Sequence, residues 1–223
     1  MSVYDQVYLE WRPETWREAV EIADELDGWF FRGHGSVEWR LQSSLERLSY
    51  VKNHDLYTLE EDIAFVDTER EILDKFKRQA HHYLGNTPPD DATLDWLSII
   101  QHHGGPTRLL DFTASFYVAA FFALEDTNED AVVWAFNRNA LDLRFSASLE
   151  ECLEQECEAR DLVHKYLWKT GGKGVVAVRP YLLNERMIIQ QGWFVCPLGI
   201  DISFEKNLCQ ELGIQGGRLP AKA

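Results

Sequence analysis

The sequence predicts a single α+β domain, and three observations lead to that fold class. The chain has 223 residues, enough for one sizeable core, and no internal repeat or low-complexity linker divides it. Apolar residues at helical spacing dominate the N-terminal half, and short runs rich in valine and aromatic residues follow. Helices that gather early and strands that gather late favour α+β over a regular alternation of strands and helices.

The first two predicted elements are an amphipathic helix and a short strand. The stretch RPETWREAVEIADEL has apolar residues at helical spacing, and Thr15 suits the N-cap position with a glutamate three residues on. The stretch GWFFRGHG then ends the helix. Its aromatic residues 29–31, bounded by glycines, predict a buried strand whose last residue, Arg32, is pushed out into a turn.

Two helices and a glycine turn are predicted next. Residues 59–83 show helical spacing, and a second helix is predicted at Thr93–Gln101 with Thr93 as its cap. The two histidines after Gln101 fall where this helix ends. The Gly104–Pro106 turn cannot continue a helix, and its glycines permit left-handed backbone or close approach to a ligand.

A charged pair and a short apolar helix follow this turn. Arg108 and Asp111 flank two leucines, and charges in so apolar a surrounding are normally paired or bound to a ligand. Thr113 or Ser115 can cap the next helix. The core-facing stripe of that helix is predicted to be Val118, Ala119, Phe122 and Ala123.

The C-terminal half is predicted to hold three strands and two helices. Strand-forming residues are frequent in the first two strands, and helical spacing returns in the charged segments. The predicted strands are residues 131–137, 174–182 and 185–198, the last interrupted at Gly192, and the predicted helices are residues 148–167 and 203–214.

The charge of the chain limits its partners. The 22 basic and 37 acidic side chains give a formal net charge of −15, which argues against duplex nucleic acid as a partner. The acidic excess lies mostly in residues 55–74 and 150–161, which also carry helically spaced apolar residues. These blocks are therefore expected to be solvated helix faces.

No segment of the sequence predicts a membrane span or a secreted disulfide scaffold. The longest apolar run, Phe116–Leu124, is far below the roughly 18 residues that a span needs, and the first residues lack a signal-peptide pattern. The four cysteines show no zinc-type spacing, and we expect reduced thiols. The expected location is the cytoplasm.

Familiar cofactor motifs are absent. GHGSVE lacks the third glycine of a dinucleotide fingerprint, TGGKGV lacks the spacing and hydroxyl residue of a phosphate loop, and no HExxH occurs. His102 and His103 are adjacent and no carboxylate or cysteine pattern completes a ligand set. We therefore expect no metal, and hydrogen-bonding or packing roles for the histidines.

Polar residues nevertheless cluster around the glycine turn. Glutamine, two histidines, arginine, aspartate, threonine and serine all occur between residues 101 and 115. A capped helix and a buried ion pair would account for some of them. A ligand pocket accounts for the whole cluster, because pockets combine apolar walls with a few convergent polar groups.

Four ordered stretches resemble the FRG domain, a family of bacteria and phages. They are WFFRGHG, WRLQSSLER, QHHGGPTRLLDFTASFYVAAFFAL and NERMIIQQGWF, and the first holds the Phe-Arg-Gly sequence as Phe31, Arg32 and Gly33. The resemblance spans residues 29–194 and implies one FRG-type domain over residues 1–223. After Gly213 the chain departs from the family pattern, so its C-terminus is expected to be divergent or truncated.

A second resemblance, to the arginine-specific ADP-ribosyltransferases, implies a mostly antiparallel split sheet and NAD as the substrate. That branch carries Arg-Gly at the end of its first strand and a Ser-Thr-Ser strand that enters a helix. By this resemblance Arg32 and Gly33 would hold the ribose and phosphates of NAD. A planar guanidinium can donate two parallel hydrogen bonds to phosphate oxygens. Thr113 or Ser115 would line the nicotinamide pocket.

The same resemblance predicts where catalysis would depart from the family. Gln190 or Gln191 falls where those enzymes have a glutamate, and a neutral amide cannot stabilise an oxocarbenium-like transition state as a carboxylate can. Either Glu185 or Asp111 replaces that glutamate, or the transfer of ADP-ribose is weak or absent. The full set of predicted catalytic residues is Arg32, Asp111, Thr113 and Gln191, and that of NAD-binding residues is Arg32, Gly33, Gln101, His103, Arg108, Ser115 and Gln190.

Three functions remain open from the sequence. The first is an NAD-consuming enzyme, either an ADP-ribosyltransferase that acts on a protein target or an NAD glycohydrolase, in bacterial or phage conflict. The second is a non-catalytic nucleotide sensor, which the missing glutamate favours. The third is a protein-interaction or inhibitor module that uses the acidic surface.

Overall fold

Five antiparallel strands form one sheet in a computed structural model of the protein that describes residues 9–52, 59–137, 167–168, 174–180, 185–200 and 202–211. The order across the sheet is β3-β1-β2-β5-β4, and every neighbouring pair is antiparallel. This arrangement confirms the α+β class. The strands are β1 (Trp29–His34), β2 (Leu110–Thr113), β3 (Val132–Asn137), β4 (Val175–Val178) and β5 (Gly192–Pro197).

Helices surround this sheet, and three of the four that precede β2 match predicted helices, whereas the helix at Ser44–Lys52 was not predicted. Thr15 caps the first helix through a hydrogen bond from the Glu18 amide, as the sequence predicts. The described helices are α1 (Trp16–Asp24), α2 (Ser44–Lys52), α3 (Leu59–Ala80), α4 (Thr93–His102), α5 (Phe116–Leu124), α6 (Glu185–Ile189) and α7 (Phe204–Glu211). Among the described residues, no helix is long and apolar enough to cross a membrane.

Three predicted elements differ from the structure. Strand β1 continues through Arg32 to His34, so Arg32 lies within the strand rather than in a turn. The predicted strand 185–198 is a helix followed by a strand, because Gln191 adopts a left-handed φ of 49° that separates α6 from β5. Ala92, rather than Thr93, precedes α4 and makes no side-chain cap. The predicted helix 148–167 lies almost wholly outside the described residues.

Apolar side chains cover both faces of the sheet. On one face, α3 and α4 pack against β4 and β5 through a cluster that includes Leu97, Val176 and Phe194. On the other face, Phe30 and Phe136 meet in an edge-to-face contact, and Phe204 of α7 closes the layer. Burial on both faces fixes the register of each strand, since a slip of one residue would exchange the two sets.

Helix α5 packs closely on β1 because Gly33 has no side chain. A Cβ atom at Gly33 would stand 1.9 Å from the carbonyl oxygen of Ala119. Ala119, Ala120 and Ala123 are the buried residues of this helix, so the predicted stripe is only partly correct: Phe122 is 36% exposed. Small residues on the helix and a glycine on the strand together allow the two backbones to approach.

A buried ion pair joins α3 to the segment before β2. The guanidinium of Arg108 lies 2.6 Å from Oε2 of Glu69, and both side chains are 0% exposed. Glu69 also accepts from the Arg108 amide, and Leu198 accepts from Arg108 Nη1. Arg108 is therefore paired, as one of the two sequence-based alternatives had it, but with Glu69 of α3 and not with Asp111, which is exposed.

The close approach of α5 to β1 predicts that Gly33→Ala is destabilising. The added methyl group meets backbone rather than a movable side chain, so we expect a loss of at least about 1–3 kcal/mol, the range for overpacking a core. Gly85→Ala is the matched control, since a Cβ atom at Gly85 meets nothing within 4 Å. Urea unfolding followed by circular dichroism measures both. Equal stabilities for the two variants would contradict this packing.

Candidate functional site

A pocket of about 920 Å³ opens beside the junction of β1 and β2. These two strands pair at Phe31 and Thr113, whereas β1 pairs with β3 along its whole length. The walls of the pocket come from β1, the segment after it, α2, β2, α5, α6 and the start of β5. This volume lies at the upper end of the range typical of small-molecule sites.

Arg32 bridges β1 and β2 inside this pocket. Its Nη1 donates to the backbone carbonyl of Asp111 at 2.7 Å, and its Nε donates to Nε2 of His34 at 2.9 Å. These bonds use two of the five N–H donors of a guanidinium. Burial lowers the pKa of Arg32, and the nearby charge of Asp111 opposes that shift. The side chain is half-buried, stays charged and is held in a fixed plane.

His34 supports Arg32 as a neutral imidazole. Burial, followed by the charge of Arg32, lowers the pKa of His34 to about 4. Since Nε2 accepts from Arg32, the ring carries its proton on Nδ1, which lies 3.3 Å from the carbonyl oxygen of Trp39. The Trp134 indole nitrogen lies 3.2 Å from the same Nδ1 and could donate to it only in the other tautomer of His34. The hydrogen bond from Arg32 disfavours that tautomer. His34 therefore positions both Arg32 and the backbone of Trp39.

Three arginines line the pocket although the chain as a whole is acidic. They are Arg32, Arg40 and Arg47, and the carboxylates that line it are Glu38 and Asp111. Arg40 lies 3.7 Å from Glu205, and Arg47 donates to the carbonyl of Gln42. In a chain of net charge −15, this local excess of guanidinium groups favours an anionic ligand.

Five of the residues predicted for the site line this pocket, namely Arg32, Gly33, Asp111, Thr113 and Gln190. The hydroxyl of Thr113 donates to the carbonyl of Gln190 at 2.6 Å and accepts from the amide of Ser115. Thr113 thus joins β2 to the turn before β5. These bonds hold the pocket wall in place.

Gln101 lies behind the wall and orients a carboxylate. Its side-chain nitrogen donates to Oδ2 of Asp111 at 2.7 Å, and its carbonyl oxygen accepts from the hydroxyl of Thr107. This bond orients the carboxylate of Asp111, a residue that lines the pocket. His103 lies further away as the C-cap of α4, exposed and beside the ring of Phe76.

The other predicted residues lie outside the lining. Arg108 is fully buried with Glu69. Ser115 is the N-cap of α5 and accepts from the amide of Val118. Gln191 is exposed, and its carbonyl accepts from the amide of Ala114, so it shapes the turn before β5.

The segment between β1 and α2, together with α2 itself, contributes residues that the sequence-based reasoning missed. Glu38, Trp39, Arg40 and Arg47 line the pocket, and none was among the predicted site residues. A tryptophan and an arginine in a loop directly after the Arg-Gly strand were the available signal. Within the part of the chain that the structure describes, no group of three histidine, cysteine or acidic residues could hold a metal ion.

Most of the residues that line the pocket lie in a segment of the chain that matches a known protein family. Residues 27–131 match the model of the FRG domain. The match supports the FRG resemblance, and it includes β1, β2 and the segment between β1 and α2, whereas β3, β4 and β5 follow it. Comparison with curated proteins gives no match. Comparison with solved structures gives no match either.

Because His34 is neutral in the folded protein, we expect the free energy of unfolding to depend on pH. The unfolded chain takes up a proton on His34 near pH 6.5, whereas the folded chain takes it up only near pH 4. The folded state therefore loses stability as the pH falls through this window. We expect the stability advantage of the wild type over His34→Gln to shrink from pH 7 to pH 4.

Urea unfolding at several pH values measures this difference. The comparison with His34→Gln removes the contribution of the carboxylates, which titrate in both proteins. A constant difference across the window would contradict the neutral, Arg32-bound imidazole.

Proposed function

We propose that the protein binds NAD in the pocket beside β1 and β2 and cleaves its bond to nicotinamide, with water or a side chain of a protein target taking up the ADP-ribosyl group. The observation that carries this proposal is Arg32, a half-buried guanidinium bonded to Asp111 and His34 with further N–H donors for a ligand. A diphosphate offers several acceptor oxygens to such a planar group. The ADP-ribosyltransferase resemblance of Arg32 and Gly33 supports the same ligand.

The charges in the pocket suit a dinucleotide. Arg47 adds to the positive charge of Arg32, and Arg40, which also lies 3.7 Å from Glu205, adds further guanidinium donors, so the phosphates of a dinucleotide meet several cationic groups. The lining also includes Val118 and Phe122 of α5, which provide apolar surface for the rings of the ligand. NAD combines a diphosphate with two ring systems and meets both requirements.

Asp111 is the proposed group that stabilises positive charge on the ribose as nicotinamide leaves. Asp111 lines the pocket and its carboxylate is oriented by Gln101, whereas Glu185 is exposed and is not part of the lining. A carboxylate beside the reacting carbon favours an oxocarbenium-like transition state. Gln190 contributes its carbonyl to Thr113 and carries no charge for this purpose.

A second candidate function is a non-catalytic nucleotide sensor. One observation favours it: the Asp111 carboxylate already accepts a hydrogen bond at 2.7 Å, which reduces its ability to stabilise a cation. In that case the pocket would bind NAD or ADP-ribose and signal through a change of conformation. A setting in bacterial or phage conflict stays a prediction from the FRG resemblance.

Nicotinamide release tests the enzymatic proposal. Purified protein is incubated with NAD, nicotinamide is quantified by chromatography, and binding of NAD and ADP-ribose is measured by calorimetry. We expect release by the wild type, and loss of release with retained binding in Asp111→Asn. Binding without release would establish the sensor, and absence of binding would leave the interaction module as the remaining hypothesis.

The guanidinium fork of Arg32 predicts a selective loss of affinity in Arg32→Lys. Lysine keeps the positive charge but cannot bond two phosphate oxygens in one plane, so binding should weaken by about 1.5–3 kcal/mol, the scale of a charge-assisted hydrogen bond. Arg12→Lys is the matched control, because the Arg12 side chain is 85% exposed and lies outside the pocket lining.

Calorimetry with NAD measures both variants, and their melting temperatures show whether each is folded. Equal affinity of Arg32→Lys and Arg12→Lys for NAD would contradict the role of Arg32 on which the proposal depends.

A further inference from the structure

The pocket has two chemically different ends on either side of Arg32. On one side, the segment between β1 and α2 contributes Trp39 and Arg40, and α2 contributes Arg47. On the other, β2 and the turn before β5 contribute Asp111 and its neighbours Thr113 and Gln190. A ligand with two unlike ends therefore has two ways to lie in the pocket, and the residues at each end determine which is preferred.

Arg32 is in contact with both ends. Its Nη1 bonds to the carbonyl of Asp111, and its Nε bonds to His34. The ring of His34 in turn lies edge-on to the ring of Trp39, with 6.2 Å between the centroids. Trp39 is thus separated from the guanidinium by one imidazole ring, a separation that the ribose between a nucleobase and its diphosphate can span.

Trp39 presents an accessible ring to the pocket. It is 60% exposed, and the bond between its carbonyl and His34 fixes its backbone. Trp193 also lines the pocket, but its ring lies 4.9 Å from Phe30 and has the guanidinium of Arg179 4.7 Å from its centroid. Trp39 is therefore the better platform for a planar ring of the ligand.

We infer that Trp39 stacks on the nucleobase of the ligand and thereby sets its orientation. This inference rests on the proposed function and adds a direction to it. The base lies on Trp39, the diphosphate lies between Arg32 and Arg47, and the second ribose extends toward Asp111. Stacking on an aromatic ring tolerates any base, so the adenine identity of NAD is not needed for this arrangement.

Ligand fragments distinguish this orientation from its reverse. AMP carries the base and one phosphate, and nicotinamide mononucleotide carries the other end of NAD with one phosphate, so the two fragments differ in their ring and not in their number of phosphates. Calorimetry with the wild type is expected to show binding of AMP and ADP-ribose, with nicotinamide mononucleotide weaker than AMP by tenfold or more, about the ratio that 1.4 kcal/mol gives. Equal or stronger binding of nicotinamide mononucleotide than of AMP would overturn the orientation.

Substitution of Trp39 tests the stacking itself. We expect Trp39→Ala to lose about five- to hundredfold in ADP affinity, the range for one base on an aromatic side chain, and Trp39→Phe to recover most of it. Trp11→Ala is the matched control, since Trp11 is 51% exposed and lies outside the pocket lining. Because both tryptophans are exposed, the melting temperatures should stay near that of the wild type.

The outcomes separate this inference from the proposed function. Equal ADP affinity of Trp39→Ala and Trp11→Ala, with NAD still bound by the wild type, would overturn the stacking and leave the NAD proposal standing. Failure of the wild type to bind NAD, ADP-ribose and ADP would overturn both.

Discussion

The junction of β1 and β2 is the constraint on which the pocket depends. The two strands pair at Phe31 and Thr113, and beyond that pair the Arg32 side chain bonds to the Asp111 carbonyl. The Arg32 side chain thus bonds to the Asp111 carbonyl, which could otherwise have accepted a backbone hydrogen bond from β1 if the two strands had stayed paired. The pocket lies in the space beside this bond. The same bond fixes the guanidinium, so the feature that opens the site also orients its main binding group.

The walls on either side of this junction are held by packing and by charge. Gly33 allows α5 to lie directly on β1, and α5 supplies Val118, Ala119 and Phe122 to the wall. The segment before β2 is fixed by the fully buried pair of Glu69 and Arg108. Removal of one member of such a pair leaves an uncompensated buried charge, which typically costs about 3–5 kcal/mol. The pair therefore secures the position of β2 rather than binding a ligand.

Much of the fold follows from local patterns in the sequence. The helices at Trp16–Asp24 and Thr93–His102 and the strand at Val132–Asn137 agree with the predicted elements within a few residues. The segment 185–198 does not, because a short apolar run fits a helix or a strand equally well. The left-handed conformation of Gln191 decides between them, and a non-glycine residue gives little sign of it.

The site was harder to predict because its contacts are distant in the chain. The partner of Arg108 is Glu69, 39 residues away, and no spacing rule selects it over the nearby Asp111. Trp39 and Arg47 reach the pocket only because the segment after β1 turns back beside it. Arg32 and Gly33 were identified from a short motif, whereas His34 acquires its role through burial and the tautomer that Arg32 imposes.

The central claim is that Arg32 binds the diphosphate of a nucleotide at this junction. A crystal structure of the wild type with ADP-ribose tests it most directly. The account predicts a phosphate oxygen at about 2.7–2.9 Å from the Arg32 guanidinium, the distance of a charge-assisted hydrogen bond, with the terminal ribose toward Asp111. ADP-ribose bound elsewhere, or in the pocket with no phosphate on Arg32, would contradict it.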